Sequence, residues 1–171
     1  MLKADPLIIR PWQSADAQAL VRHANNRRIW LNLRDRFPYP YTDSDARAWL
    51  AMQAAQRGAP HNFAIEFAGE PIGGIGLEFL TDVHRLTAEI GYWLGESMWG
   101  RGFATIAVKA VTRYAFATFD LRRIQAMVYE WNPASARVLE KAGYTLEGRL
   151  RNFVLKDGRV GGALMYARLP D

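Results

Sequence analysis

The sequence predicts an α/β (α+β) fold, built on a mixed, mostly antiparallel sheet with one βαβ unit at its centre. Short apolar runs separated by turn residues have the spacing of an antiparallel meander, and they occupy residues 62–67, 72–80 and 87–94. A helical pattern joins the run at 87–94 to another at 124–129, as in a βαβ unit with parallel strands. Two last runs, 144–155 and 160–169, flank Asp157-Gly158, a dipeptide typical of hairpin turns.

Composition bounds the class of protein. The 171 residues are expected to form one domain, residues 1–171, because a chain of this length can bury about two-thirds of its unfolded surface. Half of the residues are hydrophobic and 23% are charged, which favours a globular chain over a disordered one. No apolar run approaches the roughly 20 residues of a membrane span, and the N-terminus has no apolar signal core, so we expect a cytoplasmic location and no membrane partner. The absence of cysteine excludes disulfides, a thiolate nucleophile and cysteine metal sites, and no metal site is predicted.

The chain is basic, with a formal charge of +5 and a pI of about 9.7. Its arginines and lysines are scattered, and the densest groups are Arg27-Arg28, Arg34-Asp35-Arg36 and Arg122-Arg123. This pattern favours a surface that attracts a small polyanion over one that binds nucleic acid directly.

The N-terminal elements follow from local signals. Residues 7–11 form a short apolar run typical of a strand. Ser14 is predicted as the N-cap of a helix that Asn25-Asn26 ends, with apolar positions at Ala17, Leu20, Val21 and Ala24. Thr42 is predicted to cap a second helix over residues 44–57.

Glycine and proline mark the elements that follow. Gly73, Gly74 and Gly76 leave little side chain on one predicted strand, which indicates close packing or a bulge. The helix of the βαβ unit has apolar residues at i, i+3 and i+4 spacing, namely Phe103, Ile106, Ala107, Ala110, Val111, Tyr114 and Ala115. Asn132-Pro133 opens another helix that ends near Gly143, with an N-cap, proline at the first position and glycine past the end.

The turn between the strand at 87–94 and the following helix is the most informative segment, Met98-Trp99-Gly100-Arg101-Gly102-Phe103-Ala104-Thr105. Such a turn leaves backbone N–H groups without partners at the positive end of a helix dipole, which suits a phosphate or pyrophosphate. Gly100 and Gly102 have no Cβ to keep a ligand from the backbone. Taken alone, the turn fits a plain strand-to-helix connection equally well. A dinucleotide-binding site is disfavoured because Thr105 takes the place of the third glycine.

Three segments together resemble the GNAT superfamily of acyl-CoA-dependent N-acetyltransferases. They are the strand at 88–94, the turn at 99–104, and Asn132-Pro133-Ala134-Ser135 continuing to Tyr144. They are most similar to the Rim-like branch, which acetylates the N-terminal amine of ribosomal proteins, and the loop at 34–41 is similar as well. The resemblance covers residues 7–169 and implies helices on both faces of the sheet.

The resemblance implies that acetyl-CoA is the cofactor. In the family the turn binds the pyrophosphate through backbone N–H groups, and Trp99 stands where glutamine or arginine is usual. The strand before the turn splays from the parallel strand, and the pantetheine arm lies in the gap. The implied cofactor-binding residues are Tyr92, Trp93, Leu94, Trp99, Gly100, Arg101, Gly102, Phe103, Ala104, Thr105, Asn132 and Ser135.

For catalysis, the resemblance implies direct transfer to an amine in a ternary complex. Leu139 occupies the position where many members have a proton-donating tyrosine, so Ser135 is expected to protonate the thiolate. Val154 stands at the Rim-type position of the base, and Glu89 is the substitute predicted from its place on the strand. Weaker candidates for the base are Glu78, His84, Glu130 and Glu147, and a water chain can replace any of them.

Each of these residues also has a structural interpretation. Asn132 and Ser135 are good helix-capping residues, and Glu89 can be a salt-bridged strand residue. Phe37 and Tyr39 are predicted to line the acceptor site, or else to anchor their own loop.

Two functions from different classes follow from the resemblance. The first is an N-acetyltransferase whose acceptor is a peptide N-terminus or a small-molecule amine, and the basic pI disfavours a polycationic acceptor. The second is an acyl-CoA-binding sensor without catalysis, which the replacements at Leu139 and Val154 keep open. Homodimers are common in the family, so the resemblance allows a homodimer, and the sequence leaves the oligomeric state open.

Overall fold

The computed structural model describes residues 1–170. The strands are β1 (Leu2–Ala4), β2 (Leu7–Pro11), β3 (Asn62–Phe67), β4 (Glu70–Phe79), β5 (Thr87–Leu94), β6 (Arg123–Tyr129), β7 (Thr145–Lys156) and β8 (Arg159–Arg168). The helices are α1 (Ala17–Ala24), α2 (Arg27–Trp30), α3 (Asp43–Ala55), α4 (Phe103–Thr118) and α5 (Pro133–Lys141). None of the helices in this part of the chain is long and apolar enough to cross a membrane.

The eight strands form one mixed sheet in the order β1-β2-β3-β4-β5-β6-β8-β7. Every neighbouring pair is antiparallel except β5 and β6, which α4 connects, so the predicted sheet and its central βαβ unit are confirmed. The parallel pairing extends only from Thr87↔Arg123 to Glu89↔Gln125. β5 continues to Leu94, still paired with Gly73 of β4, while it separates from β6.

Apolar side chains pack on both faces of the sheet. The larger cluster includes Val108 and Val111 of α4 with Ile90 of β5. The smaller cluster includes Leu20 of α1 and Leu50 of α3, and Trp93 packs against it. Successive strand residues point to opposite faces, so even-numbered residues of β5 face α4 and odd-numbered ones face α1 and α3. The expectation of helices on both faces is confirmed.

The first helix differs from the sequence prediction. Ser14 is not an N-cap, because it lies inside a 3-10 turn, Ser14–Asp16, and α1 begins only at Ala17. Asp16 organises this turn instead: its carboxylate accepts from the backbone N–H of Gln13 at 2.8 Å and from Arg10 at 2.9 Å. The buried ion pair outweighs the local capping preference of serine.

Other capping predictions are confirmed. Oγ1 of Thr42 accepts from the N–H of Asp45 at 3.3 Å, and the Asp45 carboxylate accepts from the N–H of Thr42 at 2.8 Å. Sequence reasoning missed α2, because Asn26 was interpreted only as a helix breaker whereas its side chain caps the next helix through the N–H of Arg28. The short strand β1 was missed as well.

The glycines of β4 pack closely, as predicted. A Cβ on Gly74 would lie 2.9 Å from Nε1 of Trp93, and one on Gly76 would lie 2.0 Å from Oδ1 of Asn62. The absence of side chains at these positions therefore lets Trp93 and Asn62 lie directly on the strand.

Candidate active site

A cavity of about 1290 Å³ opens where β5 and β6 separate. Residues 89–94 of β5 and 126–129 of β6 line it, together with the first turns of α4 and α5. Its walls on the other face come from α3 and from the segment that joins α2 to α3. The cavity thus spans the gap and has walls on both faces of the sheet.

The glycine turn presents a row of free backbone donors. Gly100 and Gly102 both have a φ of 78°, the left-handed conformation that favours glycine. Across the described chain, none of the six N–H groups of residues 100–105 donates to an intramolecular acceptor, and the first bond of α4 runs from Ile106 to the carbonyl of Gly102 at 3.1 Å. Consecutive free donors at the start of a long helix suit a diphosphate.

Side chains hold this turn in place. Nε1 of Trp99 donates to the carbonyl of Leu94 at 2.8 Å, which ties the turn to the end of β5. Arg101 does not line the cavity, and its guanidinium lies 6.0 Å from the ring centroid of Phe103. Arg101 can therefore contribute its backbone N–H to a ligand, while Trp99 fixes the position of the donors.

The gap offers hydrogen-bonding groups along both of its edges. β5 has no partner strand on the β6 side after Glu89, so its backbone is available to an extended ligand. Across the gap, Oδ1 of Asn132 accepts from the N–H of Ser135 at 3.2 Å and caps α5. Within residues 1–170, Nδ2 of Asn132 makes no hydrogen bond, so Asn132 can cap the helix and still donate into the cavity.

Ser135 is paired with a half-buried tyrosine. The Tyr92 hydroxyl lies 2.8 Å from Oγ of Ser135, a bond in which either oxygen can be the donor, and 3.3 Å from the carbonyl oxygen of Ser135, which can accept the same tyrosine proton instead. Burial raises the pKa of Tyr92 well above its ordinary value, so the hydroxyl keeps its proton at neutral pH. Sequence reasoning assigned only the backbone of Tyr92 to the site; the signal it missed was a polar hydroxyl on the apolar face of β5.

Glu89 lies on the opposite face of β5 from Tyr92. It is the register partner of Glu78 on β4, and two carboxylates so placed repel each other. Arg34 bridges them, with Nη1 3.0 Å from Glu78 and Nη2 bonded to Glu89. Arg36 donates to Glu78 at 2.5 Å, and this bond lowers the pKa of the Glu78 carboxyl. Glu89 is thus salt-bridged and also lines the cavity.

The weaker candidates for the base lie elsewhere, with one exception. Glu78 lines the cavity beside Glu89, whereas His84, Glu130 and Glu147 do not, and neither does Val154. Glu130 and Glu147 form ion pairs outside the cavity. Of the predicted carboxylates, only Glu89 and Glu78 can therefore reach a ligand in the gap.

The aromatic loop contributes one residue to the cavity. Phe37 lines it and packs edge-on against Trp93, with ring centroids 5.7 Å apart. Tyr39 does not line it, and its ring packs on Trp30 with centroids 5.9 Å apart. The loop thus brings Phe37 to the cavity and holds Tyr39 away from it.

The fold and the site define the class of acyl-CoA-dependent transferases. The donor row at residues 100–105 suits the internal diphosphate of a long ligand, and the gap beside Ser135 leaves room for its extended reactive arm. In the described chain, no group of three or more His, Cys, Asp or Glu side chains could hold a metal ion.

Comparison with known proteins identifies the family. Residues 6–145 match the family described as acetyltransferase (GNAT) domain, and the chain belongs to the GNAT family. It is 32% identical to the uncharacterized N-acetyltransferase YoaA of Bacillus subtilis, over 92% of this chain and 90% of that one. It is 30% identical to the ribosomal-protein-serine acetyltransferase of Escherichia coli, over 84% of this chain and 82% of that one.

Solved structures that are similar to this chain belong to acetyltransferases as well. RimJ of Mycobacterium smegmatis in complex with CoA-disulfide superposes with a TM-score of 0.83 at 26% identity, covering 95% of this chain and 81% of that one. A GNAT acetyltransferase from Bacillus anthracis has a TM-score of 0.84 at 25% identity, covering 98% and 97%. The chain is an N-acetyltransferase that uses acetyl-CoA as its acetyl donor and an amine as acceptor, and the non-catalytic sensor is not supported.

Proposed function

We propose that the chain works as a single N-acetyltransferase domain that moves an acetyl group directly to a primary amine within a ternary complex. The acceptor is a peptide N-terminus or a small-molecule amine. The observation that supports this proposal is the cavity through the gap, because it lets the donor and the acceptor meet from opposite faces of the sheet. Without cysteine, the chain has no thiol that could carry the acetyl group between them.

The residues present fit acetyl-CoA. When bound, acetyl-CoA supplies an electrophilic thioester carbon and a thiolate leaving group. The free N–H groups of residues 100–105 would hold its pyrophosphate. The backbone of Tyr92, Trp93 and Leu94 would pair with the arm on one side, and Nδ2 of Asn132 would donate to it from the other.

Three groups would perform the chemistry. Free N–H groups on the edge of β5 would stabilise the negative charge that develops on the acetyl oxygen. Ser135 would donate its proton to the departing sulfur while the Tyr92 hydroxyl donates to Oγ of Ser135. Glu89 would accept the proton that the amine loses, directly or through water.

The setting and assembly of the enzyme are also proposed. A cytoplasmic location follows if the acceptor is a ribosomal protein, as the name of the Escherichia coli relative states for that protein. A homodimer is proposed from the resemblance to the family. Light scattering on purified protein would then give twice the chain mass of 19.4 kDa, and the mass of one chain would refute the dimer.

Thiol release from acetyl-CoA tests the catalytic proposal. The panel contains peptides with different first residues, polyamines, free amino acids and aminoglycosides. We expect release with one class of amine and a loss of about 100-fold in kcat for Ser135→Ala, with unchanged CoA binding by calorimetry. Ser44→Ala, an exposed serine outside the cavity, is the matched control. An unchanged kcat in Ser135→Ala would remove Ser135 from the mechanism, and CoA binding without release for every amine would refute direct transfer.

A further inference from the structure

The face of the sheet below α1 and α3 carries a trough with a glycine floor. Three successive register pairs of β4 and β5 point to this face, namely Gly74↔Trp93, Gly76↔Gly91 and Glu78↔Glu89. All of them line the cavity. A Cβ on Gly91 would meet no atom within 4 Å, so the space above Gly91 is open, whereas the side chain of Asn62 lies over Gly76. The trough therefore runs from a pair of carboxylates at one end to an indole at the other.

The proposed function puts the reacting amine where the gap meets this trough. β5 separates from β6 just after Glu89, so the gap begins at the level of Gly91. Residues two apart on a strand are separated by about 7 Å. An amine above Gly91 would thus have Glu89 about 7 Å to one side and Trp93 about 7 Å to the other. A substituent that follows the trough would extend toward one of these ends.

The Trp93 end is aromatic. Phe37 packs against the indole with ring centroids 5.7 Å apart. Trp12 lies near the indole of Trp93, because both side chains lie over Gly74. A Cβ on Gly74 would be 2.9 Å from Nε1 of Trp93 and 3.1 Å from Cζ2 of Trp12. Aromatic walls of this kind stabilise a large apolar or aromatic group by burial and by ring contacts.

At the opposite end, each carboxylate already has a hydrogen-bond partner, so none is free to bind a second ammonium group of the acceptor. The acidic residues that line the cavity are Asp45, Glu78 and Glu89. Asp45 is bonded within the capping box of α3, and Glu78 accepts from both Arg34 and Arg36. Glu89 is paired with Arg34. A polyamine would need to displace an arginine to find a partner for its second ammonium group.

We propose that the acceptor is a primary amine carried on an aromatic or large apolar group, with no second cationic centre. This inference rests on the proposed function and identifies the substrate class of the same site. An N-terminal phenylalanine of a peptide and a free arylalkylamine share this chemistry. The apolar group lies against Phe37 and Trp93, and the amine lies over Gly91.

Steady-state kinetics with four acceptors tests the inference. We expect kcat/KM for a phenylalanine-initiated peptide or for phenylethylamine to exceed that for a serine-initiated peptide and for spermidine by 10-fold or more. The peptide and the free amine distinguish the two sources of the aromatic group. Phe37→Ala should reduce this preference at least 5-fold, and Phe37→Leu should restore part of it. Phe153→Ala, an exposed phenylalanine outside the cavity, is the matched control.

Failure of the inference and failure of the proposed function give different results. Faster turnover of spermidine or of the serine peptide would overturn the inference and leave the acetyltransferase intact. If no amine reacts, calorimetry measures the binding of phenylethylamine and of spermidine to the CoA-bound protein, and this binding tests the inference. Binding of phenylethylamine alone, weakened by Phe37→Ala, would support the inference, whereas equal or absent binding of the two amines would overturn it.

Discussion

The phenolic oxygen of Tyr92 lies 2.8 Å from Oγ of Ser135, and the bond joins β5 to the first turn of α5. A half-buried tyrosine hydroxyl that lacks a partner loses hydrogen bonds to water, and the serine replaces them. Conversely, a hydroxyl that accepts from Tyr92 has its own proton left for another acceptor. With Tyr92 as the donor of this bond, as the proposed mechanism has it, the Ser135 proton is left for the thiolate that would form in the gap.

Tyr92→Phe is expected to lower kcat about 10-fold, because it removes the hydroxyl and preserves the volume of the ring. In a Ser135→Ala background the same change should cost nothing further, since residues that act as one unit are not additive. A double-mutant cycle on kcat measures this coupling. Tyr144→Phe is the control, because that hydroxyl bonds to Thr112 at 2.7 Å outside the cavity. Equal losses in both backgrounds would contradict a shared role.

Two substitutions separate the two roles of Asn132. Asn132→Asp keeps the oxygen that caps α5 but loses the N–H donor, whereas Asn132→Ala loses both. We expect both variants to raise the KM for acetyl-CoA, and only Asn132→Ala to lose about 1 kcal/mol of unfolding free energy. Urea unfolding and steady-state kinetics make the comparison. Wild-type KM in Asn132→Asp would leave Asn132 as a helix cap alone.

Gly102→Ala is expected to destabilise the protein by about 1–2 kcal/mol, because alanine is strained at a φ of 78°. A Cβ there would meet no atom within 4 Å, so the cost comes from the backbone conformation and not from a clash. Asparagine tolerates this conformation better, so Gly102→Asn should lose less. Thermal unfolding and CoA titration follow both variants. Stability and affinity equal to wild type in Gly102→Ala would show that the turn does not depend on glycine.

Glu78 should make the protein more sensitive to acid. The hydrogen bond from Arg36 is the largest cause that lowers the pKa of the Glu78 carboxyl below its ordinary 4.5. Because the folded pKa is the lower one, ionised Glu78 stabilises the fold above pH 4.5, and this contribution is lost as the pH falls through the folded pKa.

Urea unfolding of wild type and Glu78→Gln between about pH 6 and about pH 3 measures the effect. The variant should lose less stability over this interval, and Arg36→Gln should behave like it. Parallel losses in wild type and both variants would exclude this ion pair as a source of acid sensitivity.

The elements that sequence reasoning placed well are those with local signals. Thr42 and Asn132 cap their helices as predicted, because each cap bonds to an N–H three residues later. The prediction for Ser14 was wrong because Arg10 recruits Asp16 into an ion pair that a capping rule does not consider. Where a side chain bonds to a partner outside its own turn, the local capping preference no longer predicts where the helix begins.

By itself, the sequence determined the mixed sheet with its βαβ unit, the free donors of the glycine turn and the family. The sheet and the turn depend on periodicity, on glycine and on capping, which act within a few residues along the chain, and the family followed from the resemblance of three segments. Only the tertiary structure decided that Tyr92 meets Ser135, that Arg34 bridges Glu78 and Glu89, and that Tyr39 stays out of the cavity. Those contacts join residues 43 to 55 positions apart, and strand register and loop docking, rather than any local preference, bring such residues together.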